Sequence, residues 1–162
     1  MKIKLVTLIA VFLSCMSFNV SAQKWADAIE SQQNKIRNLQ TQVFTSTQKI
    51  LDLASSRGVE AGLNYDIQNG ISDHLQAVSS ELSNLQTQQI LFEMITNKTS
   101  IAYARKFMKI RQETISKDLS LRADNLQKSA RLAKDNDTTR FIFEARDLIK
   151  SSQEMVNTNF KY

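Results

Sequence analysis

Residues that could support acid–base catalysis are few in this sequence. The chain contains one histidine, His74, which directly follows Asp73. A carboxylate can orient a histidine that acts as a general base, but neighbouring residues on a helix point about 100° apart, which places this pair poorly. The Gly-x-Ser-x-Gly turn of many hydrolases is absent, and the one cysteine, Cys15, lies near the start. We therefore predict that the protein is not an enzyme.

Patterns that could bind a metal ion are equally weak. Bundles that hold two metal ions use Glu-x-x-His pairs on facing helices, and the sequence contains no such pair. The loop Asp135-Asn136-Asp137 resembles the first part of a calcium-binding loop, but Arg146 occupies the position of the required final glutamate. We predict no metal and no other cofactor, and a helix-capping role for this loop.

Charge is distributed unevenly along the chain. Residues 101–134 contain nine basic and three acidic residues, whereas residues 57–100 contain two basic and five acidic ones. The basic segment is either an anion-facing surface or a solvated helix face that complements the acidic segment. The four candidate anion-facing residues are Arg105, Lys109, Arg122 and Arg131. No aromatic series for base stacking accompanies these charges, which argues against nucleic acid as a partner.

An apolar run near the middle of the chain is a candidate protein contact. The candidate contact residues are Ile90, Leu91, Phe92, Met94, Ile95, Tyr103 and Phe107. The first five cover more of a helix circumference than a single neighbouring helix buries. The run is therefore either core between two neighbouring helices or, if exposed, a patch large enough for docking or self-association.

The start of the chain is typical of an export signal. Lys2 and Lys4 precede a short apolar core at Leu5–Leu13, and Val20-Ser21-Ala22 supply the small residues that a signal peptidase requires. This pattern predicts cleavage after Ala22. The apolar core is shorter than the roughly 20 residues of a bilayer-spanning helix, so we expect no transmembrane anchor in the mature chain.

The domain prediction follows from this signal. We predict a cleavable signal peptide over residues 1–22 and a single helical-bundle domain over residues 23–162, located in the periplasm or secreted. Two other interpretations of the start are a lipid attached to Cys15 and an uncleaved apolar anchor. The mature chain would contain no cysteine, so no disulfide would stabilise it.

The elements that position all these residues are helices. The chain has no proline, and its three glycines all lie between residues 58 and 70. Apolar residues recur at 3.5-residue spacing from Trp25 to Leu53, with Gln32 and Ser46 as polar members, which predicts a first helix over about 24–56 with one narrow apolar stripe. The stripe must be buried against other helices, of the same chain or of another copy.

Three further helices are predicted. A linker over 58–70 precedes the second helix, which begins near Ser72. We expect a break at 96–100 with Thr99 or Ser100 as the cap of the next helix, the alternative being one unbroken helix. A third helix is predicted over 101–134, with Phe107 and Ile110 widening its apolar face. A loop at 135–139 follows, and one of its last three residues is expected to cap a fourth helix over 140–157. The end of the chain is expected to be frayed, although Phe160 can pack back.

Long helices joined by short turns reverse direction at each turn. We therefore predict an all-α fold, an elongated antiparallel helical bundle of three long helices plus a shorter C-terminal helix. The stretch from Gln23-Lys24-Trp25 to Gln42 forms a Gln-rich first helix that contains a tryptophan and follows the signal. Together with the long helical hairpin, it resembles the small secreted pilus-tip components of type IV secretion and conjugation machines.

The resemblance implies an exported, non-catalytic structural or interaction protein of the bacterial envelope, which binds protein partners within a secretion or conjugation apparatus. The alternative is a periplasmic holdase-type chaperone whose basic helical arms hold unfolded clients. The sequence lacks the alternating strand pattern with which chaperones of that shape build a β-core. Self-association remains open in either case.

Overall fold

Apolar stripes and a shortage of helix breakers make this chain helical along nearly all of its described length. The computed structural model describes the backbone of residues 2–160 and 162, and the side chains of residues 24–52, 59–160 and 162. No strand occurs in this described backbone. The fold is an all-α helical bundle, as predicted. The predicted signal peptide and its cleavage point lie outside the described side chains.

The helical elements are three. They are α1 (Lys2–Glu93), α2 (Lys98–Ser129) and α3 (Asn136–Asn159). The side chains of α1 are described over residues 24–52 and 59–93, which we call the first arm and the second arm.

The two arms run antiparallel and pack against each other. Trp25 and Glu93 are 68 positions apart, which corresponds to roughly 100 Å along a straight helix. Their side chains are nevertheless joined by a 2.9 Å hydrogen bond from the indole Nε1 to Oε1. Further along, Gln33 Nε2 donates to Ser83 Oγ at 2.7 Å. Thr47 Oγ1 also donates to Gln68 Oε1 at 3.1 Å, so the chain reverses direction between these two residues. The apolar stripe of the first arm is therefore buried within the chain.

The other two helices complete an up-and-down bundle. Arg111 of α2 forms an ion pair with Glu81 of the second arm. Gln153 of α3 is hydrogen-bonded to Ser116 of α2, and Gln32 of the first arm is hydrogen-bonded to Ser151 of α3. Each helix thus packs between two antiparallel neighbours. The 24 residues of α3 make it shorter than α2, which has 32.

The core consists of the stripes that the spacing predicts. Both arms contribute five large apolar residues each: Trp25, Ile29, Ile36, Leu39 and Val43 from the first, and Ile71, Leu75, Val78, Leu82 and Leu85 from the second. They meet the buried residues of α2 and α3, among them Met108, Ile115, Leu119, Leu126, Phe141, Ile142, Ile149 and Val156. Burial of each such side chain contributes about 1.5–3 kcal/mol, so the stripes stabilise the bundle.

Residues 59–70 belong to the helical second arm, so the linker predicted over 58–70 is wrong. A buried stripe with helical spacing runs through this segment: Ala61, Asn64, Gln68 and Ile71. Packing of this stripe outweighs the low helix propensity of Gly62 and Gly70, about 1 kcal/mol each. Glycine content alone misled the prediction because the buried positions here are mostly polar or small.

The break between the second arm and α2 is confirmed, but the predicted caps are wrong. Asn97 is the N-cap of α2, because its side chain accepts hydrogen bonds from the backbone N–H groups of Thr99 and Ser100 at 3.0 and 3.2 Å. Asp135 is the N-cap of α3 and accepts from the Thr138 backbone N–H at 2.7 Å. Helices α2 and α3 therefore begin three and four residues earlier than predicted, each directly after a short polar side chain that suits the cap position.

Candidate functional site

His74 lies half-buried on the second arm, near charged side chains of its own helix and of α2. Burial lowers its pKa, the positive charge of Arg122 lowers it further, and the carboxylates of Asp73 and Asp118 oppose these effects. Among the described residues, no group of three or more His, Cys, Asp or Glu side chains is arranged to hold a metal ion.

A pocket of about 430 Å³ lies where both arms meet the loop between α2 and α3. Its charged lining residues are Lys49, Glu60, Lys134, Asp135 and Asp137. Cations and carboxylates are mixed, and Asp135 is already engaged as the cap of α3. The pocket therefore presents no set of charges of one sign that converges on a ligand.

A chain of buried polar side chains crosses the bundle next to this pocket. Gln68 accepts a hydrogen bond from Thr47 Oγ1 at 3.1 Å and donates through Nε2 to Thr138 Oγ1 at 2.8 Å. The Thr138 hydroxyl in turn donates to Asp135 Oδ2 at 2.7 Å. Gln68 and Thr138 are fully buried. These hydrogen bonds join the first arm, the second arm and α3. They hold the three segments in one register, because each buried polar group finds its hydrogen-bond partner only in this alignment.

The exposed apolar side chains gather at the opposite end of the bundle. We call residues 90–110 the hairpin end; it comprises the last turn of the second arm, the connecting turn and the first turns of α2. Of the eleven large apolar side chains exposed among the described residues, six lie here: Ile90, Leu91, Met94, Tyr103, Phe107 and Ile110. Tyr103 is the most exposed of them, at 81%.

The orientation of α2 explains the exposure of Tyr103, Phe107 and Ile110. Met108 and Ile115 of α2 are buried in the core. Tyr103, five residues before Met108, is turned by about 140° from it around the helix and therefore faces away from the core. The Gln112 side chain donates to the backbone carbonyl of Val156 at 3.1 Å, so the last turn of α3 lies beside Gln112.

The candidate contact residues are divided by the structure. Ile90, Leu91, Met94, Tyr103 and Phe107 are exposed together at the hairpin end. The other two, Phe92 and Ile95, are half-buried. The Phe92 ring packs edge-on against Tyr162, with ring centroids 5.6 Å apart, and belongs to the border of the core.

Ile110 was missed as a surface residue. Phe107 and Ile110 were expected to widen the apolar face of α2, but both are about half exposed, at 52% and 53%. The buried face of α2 is narrower and runs through Met108 and Ile115. The spacing of Tyr103, Phe107 and Ile110, four and then three residues, was the available signal for a separate stripe.

The C-terminal residues hold the hairpin end in place. Phe160 is buried, with its ring centroid 5.9 Å from that of Trp25, so the expectation that Phe160 packs back is confirmed, and the expected fraying is wrong for Phe160 and Tyr162. The Tyr162 hydroxyl is hydrogen-bonded to Gln89 Oε1. Burial raises the pKa of the Tyr162 phenol, and the nearby carboxylate of Glu93 raises it further. These contacts fix the second arm against the first arm at this end.

Basic side chains surround the exposed apolar ones. Lys98, Arg105, Lys106 and Lys109 are exposed and form no ion pair with any residue whose side chain is described. The sequence has no acidic residue between positions 94 and 112. The hairpin end is therefore both apolar and positively charged.

The four candidate anion-facing residues do not form one surface. Arg105 and Lys109 lie on the hairpin end. Arg122 is paired with Asp118 at 2.5 Å, which offsets its charge. Arg131 follows the end of α2, roughly 40 Å along the helix from Arg105. The spacing of four residues between Asp118 and Arg122 was the available signal in the sequence for this pair.

Comparison of the chain with protein-family models, curated proteins and solved structures gave no match. In the described part of the chain, no helix combines the length and the apolar character needed to cross a bilayer. The described residues form an all-α bundle of four helical segments, namely the two arms of α1, α2 and α3, with one end that is apolar and basic at its surface.

Proposed function

We propose that this protein is an exported, non-catalytic interaction protein of the bacterial envelope that binds a protein partner through its hairpin end, as a component of a secretion or conjugation apparatus. The observation that carries this proposal is the gathering of six exposed large apolar side chains at one end of a well-packed bundle. A concentration of exposed apolar side chains at one place is typical of protein contact sites.

The rigidity of the support favours docking. Trp25, Glu93 and the C-terminal aromatic residues hold the second arm in place at the hairpin end. A surface on packed helices loses little conformational entropy when a partner binds, so more of the contact energy contributes to affinity.

The holdase-type chaperone remains the competing function, because exposed apolar and cationic groups also suit unfolded clients. Two observations favour docking over it. The arms are packed on each other through Gln68 and its partners and do not form an open cradle. The exposed apolar residues are also concentrated at one end, whereas a cradle needs them along the inner faces of separated arms.

Site-specific photo-crosslinking in the organism that produces the protein tests the proposal. A benzophenone amino acid replaces Phe107 at the hairpin end or, as the matched control, Phe44, which is 62% exposed on the first arm. We expect one crosslinked species from position 107, containing a component of an envelope assembly, and none from position 44. Equal crosslinking from both positions to many unrelated proteins would instead support the chaperone.

Export has its own test. We expect the protein recovered from the periplasm or the medium to begin at Gln23, as measured by mass spectrometry of its N-terminal peptide. A chain that retains Met1 or carries a lipid on Cys15 would contradict cleavage after Ala22.

A further inference from the structure

Helix α2 carries two apolar stripes, and only one of them is buried. The inner stripe faces the core: Met108, Ile115, Leu119, Ala123 and Leu126. A second set of residues, which we call the outer stripe, is exposed and follows alternate steps of four and three residues: Tyr103, Phe107, Ile110, Thr114, Lys117 and Leu121. At 3.6 residues per turn, such steps keep all six on one side of the helix.

The outer stripe has the spacing of a helix-packing seam. Steps of four and three give a mean repeat of 3.5 residues, the spacing with which one helix packs along another. Tyr103, Phe107 and Ile110 occupy three successive seam positions at the hairpin end. Thr114 and Lys117 interrupt the stripe before Leu121, and a helix–helix seam tolerates such polar members at some cost in stability.

The positive charge beside the outer stripe indicates what kind of partner surface would bind there. Lys106 lies three residues after Tyr103 and four before Ile110, so it borders the apolar residues on the helix surface. Lys109 and Arg105 lie further round the same turns. All three are exposed, and none forms an ion pair with a described side chain. An occupant with carboxylates along one edge would complement them.

We propose that an acidic amphipathic helix of the protein partner lies along the outer stripe, with its apolar residues on Tyr103, Phe107 and Ile110 and its carboxylates towards Lys106 and Lys109. The proposal rests on the proposed function and names the docking element of the partner. Packing of one amphipathic helix along another is specified by apolar residues at spacings of three and four residues.

Two other occupants fit the observations less well. A second copy of this chain would bring two basic hairpin ends together, and like charges at such a contact oppose association. An anionic membrane would match the positive charge, but Lys117 in the stripe and the neighbouring carboxylate of Glu113 interrupt the continuous apolar face that an interfacial helix needs.

Binding of designed peptides to the purified chain, residues 23–162, tests the proposal. Two helical peptides of about 21 residues carry the same leucine seam and differ only in having glutamate or lysine at the flanking positions. We expect fluorescence anisotropy to show saturable binding of the glutamate peptide, weakened by added salt, and no binding of the lysine peptide.

Variants of the chain locate the binding. We expect the double substitution Tyr103→Ser/Phe107→Ser to weaken binding of the glutamate peptide by at least about tenfold, because exposed aromatic anchors carry much of an interface's energy. The double substitution Lys106→Gln/Lys109→Gln should weaken binding less and should make the affinity less dependent on salt. The control Phe44→Ser removes an exposed aromatic residue elsewhere and should leave binding unchanged.

Three outcomes overturn the proposal: equal binding of both peptides, no binding of either, and co-sedimentation of the chain with phosphatidylglycerol vesicles in the absence of peptide binding. If neither peptide binds but Phe107 still crosslinks one envelope component, the proposed function stands and only the acidic helix is wrong. If the crosslink also fails, the proposed function fails with it.

Discussion

The indole Nε1 of Trp25 donates a 2.9 Å hydrogen bond to Oε1 of Glu93, although the two residues are 68 positions apart. Glu93 also accepts from the Gln89 side chain at 2.9 Å. The same indole packs against Phe160. One tryptophan thus connects the start of the first arm, the end of the second arm and the C-terminal residues.

Substitution of Trp25 tests this connection. We expect Trp25→Ala to lower the free energy of unfolding by about 3–5 kcal/mol, because a large buried ring is removed and a cavity is left. Trp25→Phe keeps most of the packing and loses the hydrogen bond, so its cost should be about 1–2 kcal/mol. Urea unfolding followed by circular dichroism measures both values. Equal stability of the wild type and Trp25→Ala would contradict the role of this residue.

The buried polar chain through Gln68 gives a second prediction. Gln68→Ala leaves the hydroxyl groups of Thr47 and Thr138 with fewer partners and opens a cavity, so we expect a loss of about 2–4 kcal/mol. Gln48→Ala, at an exposed position of the first arm, is the matched control and should change stability by less than about 0.5 kcal/mol. Similar midpoints of urea unfolding for the two variants would argue against the network.

The two glycines within the second arm give a prediction of opposite sign. A Cβ added at Gly62 or Gly70 would meet no atom within 4 Å beyond the adjacent residues and the nearby backbone of its own helix. Gly62→Ala and Gly70→Ala should each stabilise the protein by about 0.5–1 kcal/mol, because alanine restricts the unfolded chain and favours the helix. Thermal unfolding measures the gain. A loss of stability in either variant would show that the helix is interrupted there.

Acidification should weaken the fold through His74. Burial holds its pKa in the folded state below the unfolded value of about 6.5. The unfolded chain therefore binds more protons as the pH falls through about 6.5, and the free energy of unfolding decreases. We expect the urea midpoint of wild type to fall more than that of His74→Gln between about pH 7.5 and 5.5. Parallel declines would contradict a contribution from this histidine.

Heptad spacing in the sequence was enough to predict the helices and most of the core. Ile29, Ile36 and Val43 are buried as that spacing requires. Prediction failed where local composition and tertiary packing disagree. Gly70 predicts a turn, but the neighbouring Ile71 is buried in the core and keeps the segment helical.

The candidate contact surface was predicted in part, because exposure depends on which sides of a helix its neighbours cover. Tyr103 and Phe107 are exposed because they lie away from the buried stripe of α2, which runs through Met108 and Ile115. Phe92 is half-buried because Tyr162, 70 positions further along the chain, packs against it. Contacts between residues so distant in sequence leave no local pattern from which to predict them.

The contact between Trp25 and Phe160 also has a consequence for the order of folding. These rings meet across nearly the whole described chain, and closing so large a loop is entropically costly until the intervening helices have paired. The two arms and the α2–α3 pair are joined by short connections and can associate first. We therefore expect the hairpin end to acquire its final form last, so that a chain released before Phe160 is available would carry an incomplete hairpin end on an otherwise paired bundle.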